Sequence, residues 1–530
     1  MKPIAAIAER LGLSSSEWSP YGHHKAKLEL GRLAAAPRGK LVLVSAVTPT
    51  PAGEGKTTTS IGLGQALHRR GESAILALRE PSVGPCFGVK GGGTGGGQSQ
   101  LVPSDDINLH FNGDFHAISA AHNLLAAMVD GHLHFKSAPR MDARKVVWKR
   151  VMDMNDRSLR EIVVGMGDGN GVVRSASFDI TAASEVMAIL CLSRDLADLR
   201  ARLGRIIVGY DEDKNPVTPD QLGATGAMMA LLKDALLPNL VQSVEGAPAL
   251  VHGGPFANIA HGCNSVVATS MGLRLADWVV TEAGFAFDLG GEKFFDIKCA
   301  SAGLAPSAVV LVATIRALKH HGGGDDSAAL VRGLANLEKH VESVGCFGHR
   351  PVIALNHRLG DLDSDAAVLR SWASEAGLRF ADSNPYGAGG EGCSELADAV
   401  MASAKDVPLK TLYQPSDSPL AKIEAIAKNM YGAEGVVLSR TAERKLADWT
   451  KRGFGHLPIC MAKTSASLSD DPTLVGRPRG FTLNVRDVEL SAGAGFFVAL
   501  TGDIVRMPGL PAVPQAKHID VIDGQITGLR

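Results

Sequence analysis

Short apolar runs alternate with amphipathic segments through much of the chain. Residues 41–47 and 73–78 are almost entirely apolar, which is typical of buried strands, and residues 61–67 between them have helical spacing. A strand, a helix and a second strand in this order predict a parallel sheet with a right-handed crossover. The same patterns predict strands at 309–314 and 352–356 and helices at 117–130, 144–152, 184–203, 218–236 and 328–344.

From residue 481 onward the pattern changes to an alternation with a period of two, which predicts the strands of a last subdomain. A Pro- and Ser-rich stretch at 413–419 is typical of a boundary loop. At 530 residues the chain is too long for one hydrophobic core, and the usual domain size predicts about three domains.

The segment between the first predicted strand and its helix has the composition of a phosphate-binding loop. It retains Gly53 and the Gly-Lys-Thr of the pattern G-x-x-x-x-G-K-[ST], whereas Thr50 stands at the first glycine position. Glycines let backbone N–H groups surround phosphate oxygens, the lysine reaches the terminal phosphates, and Thr57 is suited to bind magnesium. A chance Gly-Lys-Thr turn is the alternative, but the flanking strand and helix favour nucleotide binding. The predicted ATP-binding residues here are Thr48, Pro49, Thr50, Pro51, Ala52, Gly53, Glu54, Gly55, Lys56 and Thr57.

Charged residues follow two of the predicted strands. Arg79 and Glu80 end the strand at 73–78, and ligands of parallel sheets bind at the carboxyl ends of strands. We therefore expect both side chains beside the phosphate loop. Glu282 ends another apolar run, and the sequence leaves open whether it supports magnesium or is an ordinary strand-end acid.

Two other polar segments have more than one interpretation. Residues 91–97 are nearly all glycine, which is typical of a flexible linker, but the acid- and histidine-rich segment 105–116 that follows would be unnecessary beside a spacer. His252, His261 and Cys263 match no standard zinc spacing, so we interpret them as members of a hydrogen-bonded polar loop.

Composition narrows the class of partner. The net charge is −1 and the pI is near 7.0, so no global field favours nucleic acid or an anionic membrane, and a small-molecule partner is expected. The seven cysteines are scattered, which indicates neither disulfides nor a zinc knuckle. The N-terminus does not match a secretory signal, and no apolar stretch reaches about 18 residues, so we expect a soluble cytoplasmic protein.

Two classes of function agree with a phosphate loop in such a chain. One is an ATP-dependent ligase that activates a carboxylate as an acyl phosphate, and the other is a nucleotide-switch ATPase that acts through a protein partner. A switch would present an exposed partner surface or a charge-biased tail, which the sequence does not indicate. The cationic, acidic and glycine-rich loops after the phosphate loop instead favour chemistry on a small anion.

Long strings of the sequence resemble one known family, formate–tetrahydrofolate ligase in its monofunctional form. Examples are Arg-Glu-Pro-Ser-Val-Gly-Pro-Cys-Phe-Gly-Val-Lys at 79–90 and Met-Pro-Gly-Leu-Pro at 507–511. The resemblance implies formation of 10-formyltetrahydrofolate from formate, ATP and tetrahydrofolate through formyl phosphate. It also implies a homotetramer and stimulation by a monovalent cation. Further matching strings lie at 48–59, 106–118, 178–190, 252–265, 281–285, 292–299, 461–464 and 467–472.

The resemblance also implies site residues. Lys56 and Arg79 would contact the formyl phosphate, and the planar fork of an arginine suits such an anion better than the point charge of a lysine. Asp114 is the candidate for accepting or orienting the proton of the folate N10 amine. Glu80 would orient Arg79 or the amine, or would only form an ion pair. His110 and His116 are secondary candidates.

Nucleotide and folate contacts follow from the same resemblance. Pro508 and Leu510 belong to a segment expected near the adenine, and the glycine run would line the active cleft. Two aromatic residues that sandwich the pterin in the family align with Arg358 and Tyr386, unless the local alignment is shifted by a residue or two. A guanidinium at position 358 would carry charge into a stacking site.

Together these patterns predict an α/β fold: a P-loop NTPase-like, mostly parallel sheet flanked by helices, with additional α/β subdomains. The predicted nucleotide-binding domain comprises residues 1–113 with about 285–350. Residues 114–284 would form a second α/β domain that contributes to the active cleft. Residues 351–530 would form a C-terminal α/β domain that contributes to folate and adenine binding.

Overall fold

The computed structural model describes residues 1–88 and 92–529. Within these residues its centre is a sheet of twelve strands. In chain order they are β1 (Trp18–Pro20), β2 (Ala26–Leu28), β3 (Lys40–Ala46), β4 (Ala74–Leu78), β5 (Gly95–Gly96), β6 (Ser99–Val102), β7 (Asn239–Ser243), β8 (Pro248–Val251), β9 (Trp278–Glu282), β10 (Pro306–Ala313), β11 (Val352–Asn356) and β12 (Arg379–Ser383).

The spatial order of the main path is β1-β2-β7-β8-β4-β9-β3-β10-β11-β12, with β6 beside β7 and β5 beside β6. The strands from β8 to β12 along this path run parallel to their neighbours. The strands at the β1 edge are antiparallel. The carboxyl ends of β4, β9, β3, β10 and β11 therefore meet at one edge of the sheet, where the loops that follow them come together.

The surroundings of strand β3 explain why residues 41–47 are almost all apolar. Leu41 and Leu43 pack into one hydrophobic core, whereas Val42 and Val44 pack into another core on the opposite face of the sheet. A parallel strand that helices cover on both sides buries both sets of alternating side chains. The mostly parallel α/β fold expected from the sequence is confirmed.

Helices cover the sheet, and a second layer of helices packs against small C-terminal sheets. None of the described helices combines the length and apolar character needed to cross a bilayer. The α-helices of at least seven residues are Ile4–Arg10, Lys56–Arg69, Asp114–His134, Glu185–Leu192, Leu196–Gly204, Thr225–Leu232, Val266–Leu275, Ile315–His321, Ser327–Cys346, Asp363–Glu375, Ser394–Ser403, Pro419–Ile426 and Arg440–Lys451. The remaining strands are Arg150–Met152, Ile162–Val164, Arg174–Ala176, Phe178–Ile180, Gly209–Tyr210, Pro216–Val217, Gly435–Leu438, Ile459–Ala462, Thr482–Val485, Asp487–Ser491, Phe496–Leu500, Asp520–Ile522 and Gln525–Thr527.

Three predicted helices differ from the structure. The predicted helix at 144–152 is wrong, because this valine-rich segment enters the strand Arg150–Met152, which pairs with Phe178–Ile180. The predicted helix at 184–203 is two helices, since the side chain of Asp195 caps a new helix by accepting the N–H of Asp198 at 2.8 Å. The helix predicted at 218–236 extends only over Thr225–Leu232.

The large sheet takes strands from all three predicted domains. Strands β7, β8 and β9 come from the predicted second domain, and β11 and β12 from the predicted C-terminal domain. A separate apolar core lies between the helices of residues 114–236 and the strands Ile459–Ala462 and Phe496–Leu500. The three-domain division stays a prediction.

Glu185 ties this helical layer to the C-terminal strands. Its Oε1 accepts the N–H groups of Gly493 at 2.8 Å and Ala494 at 3.2 Å. Burial raises the pKa of the Glu185 carboxyl from 4.5 to about 7. The folded state therefore binds this proton more tightly than the unfolded chain, and the stability that Glu185 contributes decreases as the pH rises from about 4.5 through about 7.

We expect Glu185→Gln, which keeps the accepting Oε1, to remove this pH dependence. Relative to the wild type, the variant should gain up to about 3 kcal/mol of stability between about pH 5 and pH 8, because each pKa unit is worth about 1.4 kcal/mol. Denaturant unfolding of both proteins across this pH range measures the difference. A difference that stays constant with pH would contradict the expectation.

Candidate functional site

The segment in which the sequence predicts a phosphate-binding loop, called the phosphate loop below, connects β3 to the helix Lys56–Arg69. Gly53 and Gly55 have φ values of 72° and 77°, the left-handed region that glycine adopts without strain. A Cβ at Gly55 would lie 2.3 Å from Nδ2 of Asn356. Glycine is therefore required at position 55 both by its backbone conformation and by the close approach of β11.

The buried side chain of Glu54 stabilises the conformation of this loop through hydrogen bonds. Its carboxylate is buried, with 1% exposure, and Oε1 accepts both the N–H and the hydroxyl of Thr50 at 2.8 Å. Oε2 accepts the hydroxyl of Thr314, which follows β10. The backbone oxygen of Glu54 also accepts Nδ2 of Asn356 at 2.9 Å. Thr50, at the position of the missing glycine, is thus an anchored residue of the loop.

Glu282 connects the phosphate loop to Arg79. It ends β9, which lies between β3 and β4, so its side chain reaches both neighbouring loops. Thr57 donates its hydroxyl to Oε2 of Glu282 at 2.9 Å, and Nη2 of Arg79 lies 3.5 Å from Oε1. The strand-end acid that the sequence left open is therefore part of the same polar cluster as the loop.

Arg79 lies under a constrained turn. Its Nη1 is 3.5 Å from the carbonyl oxygen of Pro255, and its buried Nε has no hydrogen-bond partner among the described residues. Above it, a Cβ at Gly284 would lie 3.0 Å from Nη1, and the next residue, Phe285, has a φ of 58°. Left-handed backbone at a bulky residue is uncommon and marks functional sites in many proteins. The sequence did not single out Phe285, although it lies three positions after the strand-end acid Glu282.

Glu80 and Asp114 lie in a buried charged group with Lys27. Asp114 accepts the Lys27 ammonium at 2.6 Å through Oδ1 and the amide of Asn239 at 2.7 Å through Oδ2. Oε2 of Glu80 is buried without a partner within the described part of the chain. Burial, and then the charge of Asp114, hold the pKa of the Glu80 carboxyl well above its ordinary value of 4.5. Lys27 was not anticipated, since it lies 87 residues before Asp114.

The two residues expected at the folate have different surroundings. Tyr386 is 66% exposed and packs against the glycine run, where a Cβ at Gly96 would be 3.3 Å from its ring. Arg358 instead donates Nη2 to the carbonyl oxygen of Gly53 at 2.7 Å. Its guanidinium is therefore engaged with the phosphate loop in this structure.

The segment expected near the adenine packs along residues 157–160. Arg157 donates to the carbonyl oxygen of Leu510, and Nε of Arg160 donates to that of Met507, next to Pro508, at 2.9 Å. Further along, the N–H of Gln515 donates to Gly88 at 2.8 Å. This segment thus contacts the chain that continues from Arg79 and Glu80.

The glycine run is not a linker over its described residues. Gly95 and Gly96 form β5, and a Cβ at Gly92 would lie 2.2 Å from Asn108, so the run is closely packed. Gly91, with Val89 and Lys90, lies outside the described residues.

The polar loop at 252–265 differs partly from its interpretation. His252 is hydrogen-bonded at both ring nitrogens, to Ser265 and to the carbonyl oxygen of Ala235, each at 2.7 Å. His261 is buried, and neither ring nitrogen has a partner in the described chain. No cluster of three or more His, Cys, Asp or Glu side chains suited to a metal occurs within residues 1–88 and 92–529.

Comparison with known proteins identifies the family. The model of the family "Formate--tetrahydrofolate ligase" matches residues 1–530. Two relatives of that name, from Paracoccus denitrificans and Hyphomonas neptunium, are each 55% identical, over 540 residues (99% of this chain, 97% of the relative) and 543 residues (100% and 98%). A third, from Methylorubrum populi, is 54% identical over 544 residues, with 100% and 98% coverage. The chain therefore belongs to the formate–tetrahydrofolate ligase family.

Proposed function

We propose that this protein ligates formate to tetrahydrofolate with ATP, giving 10-formyltetrahydrofolate, ADP and phosphate through formyl phosphate. The observation that carries the proposal is the Glu282 carboxylate, which contacts both Thr57 of the phosphate loop and the Arg79 guanidinium. A nucleotide loop and an anion-binding fork thus share one site. The family supports this ligase activity and does not favour the switch ATPase.

In the first step a formate oxygen attacks the γ-phosphorus of ATP. Such a transfer requires alignment and compensation of charge more than covalent help from the protein. We assign the ATP phosphates to Thr48–Thr57, with Lys56 at the transferred group. Arg79 would pair with formate and then with formyl phosphate through its fork, because its Nε is buried and has no described protein acceptor.

The donor set beside the loop fits Mg²⁺. The Thr57 hydroxyl and the Glu282 carboxylate are hard oxygen ligands 2.9 Å apart at the start of the helix. When bound, Mg²⁺ would neutralise developing charge on the phosphate oxygens. Thr57 and Glu282 would hold the ion, and Oε1 of Glu282 would continue to orient Arg79.

In the second step the folate N10 amine attacks the formyl carbon and phosphate leaves. The amine must lose a proton to a side chain with an open oxygen. Both oxygens of Asp114 already accept hydrogen bonds, whereas Oε2 of Glu80 has no described partner. We therefore propose Glu80 as the proton acceptor, with Asp114 and Lys27 setting the field around it.

Tyr386 is proposed as a stacking surface for the pterin, because its ring is largely exposed beside the glycine run. We expect Tyr386→Ala to raise the KM for tetrahydrofolate by the equivalent of about 1 to 3 kcal/mol, the value of a lost aromatic stack. The KM values for ATP and formate should not change. Tyr386→Phe, which keeps the ring, is the matched control, and an unchanged folate KM in Tyr386→Ala would contradict the assignment.

The Arg358 side chain is expected to act on the nucleotide loop in addition to any contact with folate. Arg358→Phe removes the bond to Gly53, so we expect a higher KM for ATP, by about tenfold for a lost charge-assisted hydrogen bond of about 1.5 kcal/mol. Steady-state kinetics with each substrate varied measures this. A lower folate KM with an unchanged ATP KM would show that residue 358 serves the pterin alone.

One assay tests the overall proposal. ADP formation should depend on both formate and tetrahydrofolate, and acid treatment of the product should give the absorbance of its methenyl form. ADP release that requires a protein partner but no folate would overturn it.

Several properties of the family extend the proposal. We propose a homotetramer, stimulation by a monovalent cation, a cytoplasmic location and the three-domain division given above. The near-neutral charge supports small-molecule substrates over nucleic acid or membrane. Light scattering and activity in potassium against tetramethylammonium salts test the first two.

A further inference from the structure

A large cavity lies between the helical layer and the C-terminal strands. Its volume is about 810 Å³, within the range of about 300 to 1,000 Å³ that is usual for small-molecule sites. Its walls come from residues 145–149, the helices Glu185–Leu192 and Arg440–Lys451, and the strands Asp487–Ser491 and Phe496–Leu500. None of the residues assigned above to ATP, formate or folate lines it.

Aromatic side chains give the cavity rigid, apolar walls. Trp148 stacks on His122 with ring centroids 4.1 Å apart and an interplanar angle of 19°. Trp449 is almost fully buried, and its ring centroid lies 6.4 Å from that of Tyr210. Because neighbouring rings already hold the two tryptophans, a planar ligand would lose little free energy to ordering them.

The charged lining has a surplus of cations. Seven basic side chains line the cavity against four acidic ones: Lys145, Lys149, Lys214, Arg444, Lys445, Arg452 and Arg506 against Asp179, Glu185, Asp448 and Glu489. The ion pairs account for part of this charge. Lys149 pairs with Asp179 at 3.0 Å and Arg452 with Asp448 at 3.0 Å, Arg506 pairs with Glu489, and Lys445 pairs with Asp487.

Three of the basic side chains remain without an acidic partner in the described chain. Lys145, Lys214 and Arg444 are exposed and form no ion pair with any described carboxylate. The acid without a basic partner, Glu185, is compensated by the N–H groups of Gly493 and Ala494. The lining thus combines two tryptophan rings with three exposed cations that have no acidic partner in the described chain.

We propose that this cavity is a second ligand site, which binds a planar aromatic anion such as an aryl phosphate or carboxylate. The ring packs against Trp148 and Trp449, and the anionic group pairs with Lys145, Lys214 and Arg444. A neutral aromatic ring would form no ion pair with these cations, and an inorganic anion would make no apolar contact with the tryptophans. The site does not depend on the ligase activity proposed above.

Isothermal titration of the full-length protein with 1-naphthyl phosphate tests this proposal. We expect binding at least about tenfold tighter than that of 1-naphthol or inorganic phosphate, because only the probe uses both features. Lys145→Glu/Arg444→Glu should weaken binding of the probe at least about tenfold. Lys410→Glu, which reverses an exposed charge outside the cavity, is the matched control and should bind normally.

Lys56→Ala distinguishes the cavity from the phosphate loop, since binding of the probe should be unchanged in that variant. The double variant should also keep its formate- and folate-dependent ADP formation. Absence of binding, equal affinity for the comparators, loss of binding in Lys56→Ala, or normal binding in the double variant would each overturn the proposal. Failure of the ligase assay would not affect it.

Discussion

Replacement of Lys56 by alanine is expected to reduce turnover at least about 100-fold without loss of the fold. Lys56 is the first residue of the helix that follows the phosphate loop. In the proposed reaction its ammonium compensates the negative charge on the transferred phosphoryl group, which water replaces poorly in a preorganised site. Steady-state ADP formation measures turnover, and circular dichroism measures the fold.

Lys410→Ala is the matched control, since it removes an exposed lysine far along the chain from the loop. It should have normal turnover. Near-normal turnover of Lys56→Ala would mean that the loop does not bind the reacting phosphates, and the assignment of the whole segment at 48–57 would have to be withdrawn.

Glu80→Gln is expected to slow formyl transfer by about 100-fold to 10,000-fold, the usual contribution of a general base. Glutamine keeps the size and a hydrogen-bonding group but does not accept the proton of the attacking amine. Formyl phosphate formation should continue. Rapid-quench measurements should therefore show a first turnover of ADP followed by a very slow steady state.

Asp114→Asn distinguishes the role of the Asp114 carboxyl group from that of Glu80. Burial, and then the charge of Asp114, raise the pKa of Glu80, so removal of that charge should lower the pKa and move the pH–rate profile to lower pH while transfer continues. If Asp114→Asn instead abolished transfer and Glu80→Gln did not, Asp114 would be the proton acceptor and Glu80 only part of its surroundings.

Local patterns carried most of what the sequence predicted correctly. The strands β3, β4, β10 and β11 lie at their predicted places because each is a short apolar run buried on both faces. The glycine-rich segment 48–57 lies between β3 and the first turn of the helix Lys56–Arg69, as predicted, whereas its binding of phosphate stays a prediction. The helix predicted at 144–152 is wrong because its valines favour a strand. The end of this segment, Arg150–Met152, pairs with the strand Phe178–Ile180.

Partners far apart in the chain were not predictable in the same way. Glu54 and Thr314 are separated by 260 positions, and Thr57 and Glu282 by 225, so no local spacing reveals either contact. Arg358 aligns with a pterin-stacking position, yet its guanidinium reaches Gly53, 305 positions away. The order of the strands in the sheet determines which hydrogen-bond acceptors lie within reach of a long side chain.

The sequence by itself therefore determined the family, the α/β class, the place of the glycine-rich segment 48–57 between a strand and a helix, and the strand-end positions of Arg79, Glu80 and Glu282. All of these follow from residues that are contiguous or from the direction of a single strand. The tertiary structure alone decided that Glu282 contacts both Thr57 and Arg79 and that Lys27 forms an ion pair with Asp114. Those outcomes require strands from distant parts of the chain to be neighbours, and burial, followed by the charge of Asp114, then raises the pKa of the Glu80 carboxyl.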